Sequence, residues 1–257
     1  MMTNSRCFLP AVRFLLALLT FGGIALANTT IDAYQVDSTQ GDYNVYLLEQ
    51  GSPVKAYFAG VLDITLTTPD GTYNRETLCV DLFTDINVGQ TYDTSVLEPS
   101  EVSGRDLGQV SWLIDNTLPP GGSTTFNSVL PNADWVTSAD QGAGLQLAIW
   151  DLTVDGGDGF SSGQVQSSSV TGKATDPTVL GWAVTYESVL TQYTPNTSND
   201  AFVYQNWDAS GPAQMLEGPM YNDGGPTPGP EPATCLLTGA ALVALGWFGR
   251  SRGRKSR

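Results

Sequence analysis

The stretch from Val61 to Phe83, VLDITLTTPDGTYNRETLCVDLF, predicts the first structural unit of the chain. Its first half alternates in polarity, as expected of a half-buried strand. Three aliphatic residues share one face of this strand: Leu62, Ile64 and Leu66. The Asp70-Gly71 pair is a strong hairpin turn signal, because both central positions of such a turn favour residues that tolerate positive φ. We therefore predict a hairpin whose returning strand runs from Thr72 to Phe83.

The returning strand contains one of the chain's few cysteines. Three apolar residues share one face: Leu78, Val80 and Leu82. Cys79, Asp81 and Phe83 fall on the other face. Cys79 is thus predicted to point away from the aliphatic stripe, which weakens the interpretation of this residue as an inert buried thiol.

Three later stretches have helical spacing of apolar residues and are separated by Gly, Pro or Ser clusters. They are Leu107–Asn116, Asp140–Leu152 and Asp176–Tyr193. Asp140 and Asp176 are predicted N-caps, and Pro177 suits the first helical position. The segment FVYQNW near residue 204 again has strand character. The predicted fold is α+β, with antiparallel strands and about three helices in one exported domain over residues 28–221.

The N-terminal residues 1–27 have the features of a secretory signal peptide. Arg6 and Arg13 precede an apolar stretch that ends in the small-residue pattern Ala25-Leu26-Ala27. Cleavage after Ala27 would start the mature chain at Asn28 and place it outside the cytoplasm. The alternative is an N-terminal membrane anchor, although the apolar core is short for a span.

Charge is distributed unevenly along the chain. From Asn28 to Gly229 there are four basic against 25 acidic residues. Such a field disfavours binding to nucleic acid and to anionic lipid, and is compatible with divalent cations or cationic partners. Solubility alone is the simpler explanation.

The C-terminal segment contains three successive features. A Pro/Gly linker over residues 222–229 leads to Pro230-Glu231-Pro232, and an apolar helix is predicted over 233–248. The basic residues that follow are Arg250, Arg252, Arg254, Lys255 and Arg257. The apolar run would be about 24 Å long as a helix, a marginal membrane span with its basic end in the cytoplasm.

This order of features over residues 230–257 resembles the PEP-CTERM sorting signal of Gram-negative bacteria. The resemblance implies an inner-membrane intermediate that an exosortase processes, followed by release or attachment at the cell surface or in the extracellular matrix. It also implies an association with exopolysaccharide and biofilm production. The alternative is a permanent C-terminal membrane anchor.

Histidine is absent from the whole chain. This removes the commonest general base, the usual Ser-His-Asp and Cys-His arrangements and nearly all zinc sites. Glycosidase chemistry with two carboxylates remains conceivable, but no pair can be chosen from the sequence. We predict that the protein is not an enzyme and requires no cofactor.

Cys79 is the single cysteine of the predicted exported domain, because Cys7 lies in the signal peptide and Cys235 in the tail. An internal disulfide in that domain is therefore excluded. Three explanations of the lone thiol remain open: an inert buried residue, an intermolecular bridge or a chemically modified cysteine.

Two short segments, TLCVDLF and GLQLAIWDL, together resemble the thioester domains of bacterial surface adhesins. The matching residues are Leu78 and Cys79 in the first segment and Gln146, Ala148, Ile149 and Trp150 in the second. Leu145 departs from the pattern, because the family has a threonine there. The resemblance implies a bond between the Cys79 sulfur and the Gln146 acyl group, which a partner's amine could capture.

The composition around Gln146 gives a separate argument. It is the one polar residue between Ala143 and Trp150, so on a helix packed against strands its carboxamide should be partly buried and need partners. Attachment to Cys79 would satisfy it, and so would ordinary hydrogen bonds to the backbone.

Asp151, Asp155 and Asp158 are weak calcium ligand candidates. They lack the spacing and the closing Glu of an EF-hand loop, so a solvated turn after the helix is the preferred interpretation and no metal is predicted.

These observations predict an exported surface or extracellular-matrix protein, associated with biofilm and adhesive through a Cys-Gln thioester. Its partners would be the exosortase and an amine-bearing surface partner or exopolysaccharide. The alternative is a noncovalent structural or ligand-binding matrix protein with an inert Cys79.

Overall fold

The computed structural model describes residues 29–49, 54–87, 89–120, 128–170, 172–195, 201–219, 221 and 225. The predicted signal peptide and the predicted sorting signal both lie outside these residues. None of the helices within the described ranges is both long enough and apolar enough to cross a membrane.

The described ranges contain strands and helices in mixed order. The strands are β1 (Thr29–Glu49), β2 (Lys55–Thr68), β3 (Gly71–Cys79), β4 (Tyr92–Leu97), β5 (Val165–Ser167), β6 (Ser169–Val170), β7 (Lys173–Ala174), β8 (Phe202–Asp208), β9 (Gly211–Pro212) and β10 (Leu216–Gly218). The helices are α1 (Gly108–Thr117), α2 (Ala139–Asp155) and α3 (Pro177–Val189). The predicted combination of antiparallel strands and about three helices is confirmed for these residues.

The main sheet closes on itself. Its strands follow the order β10-β3-β2-β1-β4-β8-β9, and β10 also pairs with β8. Six strands therefore form a closed antiparallel ring, while β9 extends from β8 and β5 pairs with β1. β6 and β7 form a separate two-stranded ribbon.

The predicted hairpin is confirmed, but its turn is shifted by one residue. Thr68 pairs with Gly71, so the loop consists of Pro69 and Asp70 instead of the predicted Asp70-Gly71 centre. The proline ring fixes φ at a negative value and suits the first loop position. The Thr68 hydroxyl accepts the Asp70 N–H at 3.1 Å and stabilises this turn.

The returning strand β3 ends at Cys79, four residues before the predicted end at Phe83. The Asp81 side chain accepts the backbone N–H of Phe83 at 3.2 Å. This local side-chain bond competes with the sheet ladder and turns the chain. Phe83 is consequently 53% exposed.

Apolar residues cover both faces of β3 at its C-terminal end. Leu78 and Val80 lie in one hydrophobic cluster, whereas Cys79 lies in the other with Leu62 and Leu82. The alternation of residues 78–80 is thus confirmed, but the placement of Leu82 beside Leu78 was wrong. The expectation that Cys79 is less buried was also wrong, since a sheet covered on both sides buries residues of both parities.

Helix α2 lies at the centre of the fold, with every residue from Gln141 to Asp151 buried. It packs against β1, β2 and α3. Gly144 is the point of closest approach to α3, where a β-carbon would collide with the Cβ of Trp182 and lie 3.0 Å from the Val179 carbonyl oxygen. The glycine therefore allows the two helices to pack closely.

The helix ends differ partly from the predictions. Ser138 caps α2 by accepting the Gln141 N–H at 3.3 Å, so the predicted cap Asp140 is instead the second residue of the helix. Asp176 caps α3 as predicted, through a 2.7 Å bond from the Thr178 N–H. Helix α3 ends before the predicted Tyr193 and continues as one 3-10 turn, Leu190–Gln192.

Candidate functional site

The side-chain amide of Gln146 lies against the backbone of Cys79. The Cys79 N–H donates to Oε1 of Gln146 at 2.8 Å, and Nε2 of Gln146 donates to the Cys79 carbonyl oxygen at 2.7 Å. The two residues are 67 positions apart in the sequence. The structure therefore brings together the two residues that the sequence singles out for a thioester.

Each residue of the pair is held by a different element. Cys79 is the last residue of β3 and pairs with Leu216 of β10, while Gln146 lies near the middle of α2. Gln146 is 1% exposed and Cys79 is 6% exposed, so the predicted burial of the carboxamide is confirmed. Both hydrogen bonds are consequently shielded from water.

The environment of Cys79 keeps its thiol protonated. Burial raises the pKa of the Cys79 thiol far above its ordinary value, and the nearby Asp81 carboxylate raises it further. The Asp81 charge is partly balanced by Arg105, whose Nη2 lies 3.1 Å from Oδ2. The site thus disfavours a free thiolate.

The segment after Cys79 is anchored from two directions. Arg105 Nη1 donates to the Val80 carbonyl oxygen. The Val80 N–H donates to the Met215 carbonyl oxygen at 3.0 Å, and Nε2 of Gln214 donates to the Asp81 carbonyl oxygen at 3.0 Å. These contacts fix the backbone that presents Cys79 to α2.

The residues that surround the pair in the sequence are also buried. Leu78, Ala148 and Ile149 belong to one hydrophobic cluster, and Trp150 belongs to the cluster that contains Cys79. The Trp150 ring meets that of Tyr57 edge to face, with centroids 5.9 Å apart. Leu145, where the adhesin pattern has threonine, is completely buried and packs with Ile149.

The predicted sorting residues lie outside the described part of the chain. They are Pro230, Glu231, Pro232, Arg250, Arg252, Arg254, Lys255 and Arg257.

The three aspartates predicted as weak calcium ligands lie close together. One carboxylate oxygen from each of Asp151, Asp155 and Asp158 lies within 4.8 Å of the other two. Asp158 is exposed, as the solvated-turn interpretation expects, but Asp151 is fully buried. Glu187 of α3 reaches the same cluster and was missed, because nothing in its local sequence indicates which helix face it meets.

A second buried acid was also missed. Glu217 of β10 is completely buried and accepts a hydrogen bond from the Ser111 hydroxyl of α1. Burial raises the pKa of Glu217 to about 8, although the Ser111 hydrogen bond opposes the shift. Its position between Leu216 and Gly218 is the one sequence signal of this burial.

In comparisons with known proteins, no protein-family model, no curated protein and no solved structure matches the chain.

Proposed function

We propose that the protein is an exported surface or extracellular-matrix component that stores a thioester between Cys79 and Gln146. The observation that carries this proposal is the pair of hydrogen bonds between the Gln146 carboxamide and the Cys79 backbone. They orient the amide beside the cysteine before any chemistry occurs. Such preorganisation removes much of the entropic cost of an intramolecular reaction.

The same hydrogen bonds support activation of the amide. The Cys79 N–H points at Oε1, the atom on which negative charge develops when sulfur adds to the carbonyl carbon. In the reaction, a bond forms between the Cys79 sulfur and Cδ of Gln146, and the bond from Cδ to Nε2 breaks. The departing nitrogen takes up the thiol proton and leaves as ammonia, so that atoms and charges balance.

Burial supports storage of the product. A thioester is neutral, so the apolar surroundings that penalise the Cys79 thiolate do not penalise the bonded form. The buried Trp150 and Leu216 belong to the same apolar cluster and limit access of water to the bond. Capture by a partner's amine would form an amide on the Gln146 acyl group and release the Cys79 thiol.

The cellular setting of the proposal rests on the two ends of the sequence. Residues 1–27 would direct export, and residues 230–257 would hold an inner-membrane intermediate for an exosortase of a Gram-negative bacterium. The folded part would then act at the cell surface or in the biofilm matrix. It would work as an adhesive module for amine-bearing partners or alongside exopolysaccharide, without enzymatic turnover.

A second candidate is a noncovalent structural or ligand-binding matrix protein with an inert Cys79. The favouring observation is that the two backbone hydrogen bonds already use an acceptor and a donor of the buried Gln146 carboxamide. A buried polar group that is satisfied in this way needs no covalent bond.

Methylamine labelling separates the two candidates. The purified full-length protein is incubated with methylamine and digested, and the peptide that contains Gln146 is analysed by mass spectrometry. The thioester proposal predicts a methylamide on Gln146 in the wild type and none in Cys79→Ala. An unlabelled Gln146 in the wild type, together with an alkylatable Cys79 after unfolding, would favour the noncovalent candidate.

A further inference from the structure

Four carboxyl groups converge where α2 ends against α3. Asp151 and Asp155 lie in the last turn and a half of α2, and Asp158 lies in the following loop. Glu187 of α3 comes within hydrogen-bonding reach of Asp151. Two helices and one loop thus contribute acids to a single cluster.

The charge of this cluster is not balanced by basic side chains. The Asp151 side chain is completely buried, and its Oδ1 has no hydrogen-bond partner. Oε1 of Glu187 is likewise without a partner. Within the described residues, no lysine or arginine forms an ion pair with any of the four acids. An unpaired buried carboxylate is costly, so a proton or a cation must neutralise it.

The loop after α2 fixes the aspartates from one side. The Gly159 N–H donates to Oδ2 of Asp151 at 3.0 Å, and the Val165 N–H donates to Oδ2 of Asp155 at 2.6 Å. Gly163 passes so close that a β-carbon there would lie 2.7 Å from Oδ1 of Asp158. Its φ of +77° also favours glycine. The backbone therefore holds the carboxylates in place and leaves Oδ1 of Asp151 unsatisfied.

We propose that Asp151, Asp155 and Asp158 form a binding site for one Ca²⁺ ion, with Glu187 next to Asp151 as a further acidic group. The donor atoms are oxygens, which this hard cation prefers, and Ca²⁺ accepts irregular arrangements of six to eight ligands. Oxygens on opposite sides of one Ca²⁺ are about 5 Å apart, which the 4.8 Å limit on the aspartate oxygens matches. Water would complete the coordination.

Bound Ca²⁺ would join the end of α2 to the loop before β5, next to Glu187 of α3. It would supply the positive charge that the buried Asp151 lacks. The calcium site and the Cys79–Gln146 pair share no residues. The calcium proposal is therefore independent of the proposed thioester function.

Calcium titration of the full-length protein tests the site. The protein is freed of metal with EDTA, dialysed, and titrated with CaCl₂ by isothermal calorimetry, with thermal unfolding in parallel. We expect one ion per chain and a rise in Tm of about 5–10 °C at a hundredfold excess over Kd. Asp158→Asn should weaken the affinity about tenfold or more, because Asp158 is exposed and the substitution leaves the core intact.

Two further variants keep the test decisive. Asp85→Asn, at an exposed position outside the group of three aspartates, should bind Ca²⁺ as the wild type does. Glu187→Gln should reduce the gain in Tm on adding Ca²⁺, because it removes a carboxyl group next to Asp151 that can become negatively charged. Absence of saturable binding to the wild type would overturn the proposal, as would equal affinity in the wild type, Asp158→Asn and Glu187→Gln.

Discussion

Gln146 forms both of its described hydrogen bonds with one residue, Cys79, donating to its carbonyl oxygen at 2.7 Å and accepting from its N–H at 2.8 Å. This arrangement joins the central helix α2 to the end of strand β3. The Gln146 carboxamide thus has a structural role in holding α2 against β3 and a proposed chemical role in the thioester. Each role predicts different measurements.

Replacement of Gln146 by alanine should destabilise the fold. The substitution leaves the buried N–H and carbonyl of Cys79 without partners, and we expect a loss of about 2–4 kcal/mol in the free energy of unfolding. Urea denaturation measures this loss. Gln192→Ala, at an exposed position, should change the free energy by less than about 0.5 kcal/mol. Equal effects of the two substitutions would contradict the structural role of Gln146.

Cys79 should resist alkylation in the native protein. The thiol is buried and its pKa is raised by that burial and by Asp81, so both access and thiolate formation are suppressed. Iodoacetamide treatment of the native protein, followed by peptide mapping, should show no adduct on the Cys79 peptide. Rapid modification in the native state would refute the described burial.

Gly144→Ala should destabilise the protein through the contact between α2 and α3. The added methyl group would collide with Trp182, at an expected cost of about 1–3 kcal/mol. Gly181→Ala is the matched control, since Gly181 lies in α3 with open space around it. That control should stabilise the protein by about 0.5–1 kcal/mol through helix propensity. Thermal and urea unfolding of both variants would reveal the opposite signs, and a shared sign would contradict the close packing.

Glu217 should make the wild type less stable as the pH rises. Its pKa is raised from 4.5 in the unfolded chain to about 8 in the fold, chiefly by burial. The folded state therefore holds a proton that the unfolded state releases between these values, and stability falls across this window. Glu217→Gln should remove that part of the dependence, so the free-energy difference between variant and wild type should grow by a few kcal/mol from pH 5 to pH 8. Urea unfolding at the two pH values tests this, and a constant difference would show that Glu217 does not titrate as described.

Local patterns in the sequence were sufficient to predict the hairpin, the three helices and the cap at Asp176. They failed where distant segments decide the outcome. Cys79 is buried because both faces of β3 are covered, and Glu187 meets Asp151 because Gly144 allows α2 and α3 to pack closely. No periodicity within one segment contains that information.

The candidate site was found by a different signal. Cys79 and Gln146 are 67 residues apart, and only the resemblance to adhesin thioester domains links their two segments in the sequence. The particular hydrogen bonds between them depend on how α2 lies against the end of β3. The two residues could therefore be named from the sequence, whereas the hydrogen bonds between them could be described only from the three-dimensional structure.

Intact mass is the most direct test of the stored thioester. The purified wild type and Cys79→Ala are weighed under conditions that do not hydrolyse thioesters, and each mass is compared with that of its own processed sequence. A stored thioester would make the wild type lighter by one ammonia, whereas Cys79→Ala would match its sequence. A wild type at full mass that gains an alkyl group on Cys79 after unfolding would contradict it.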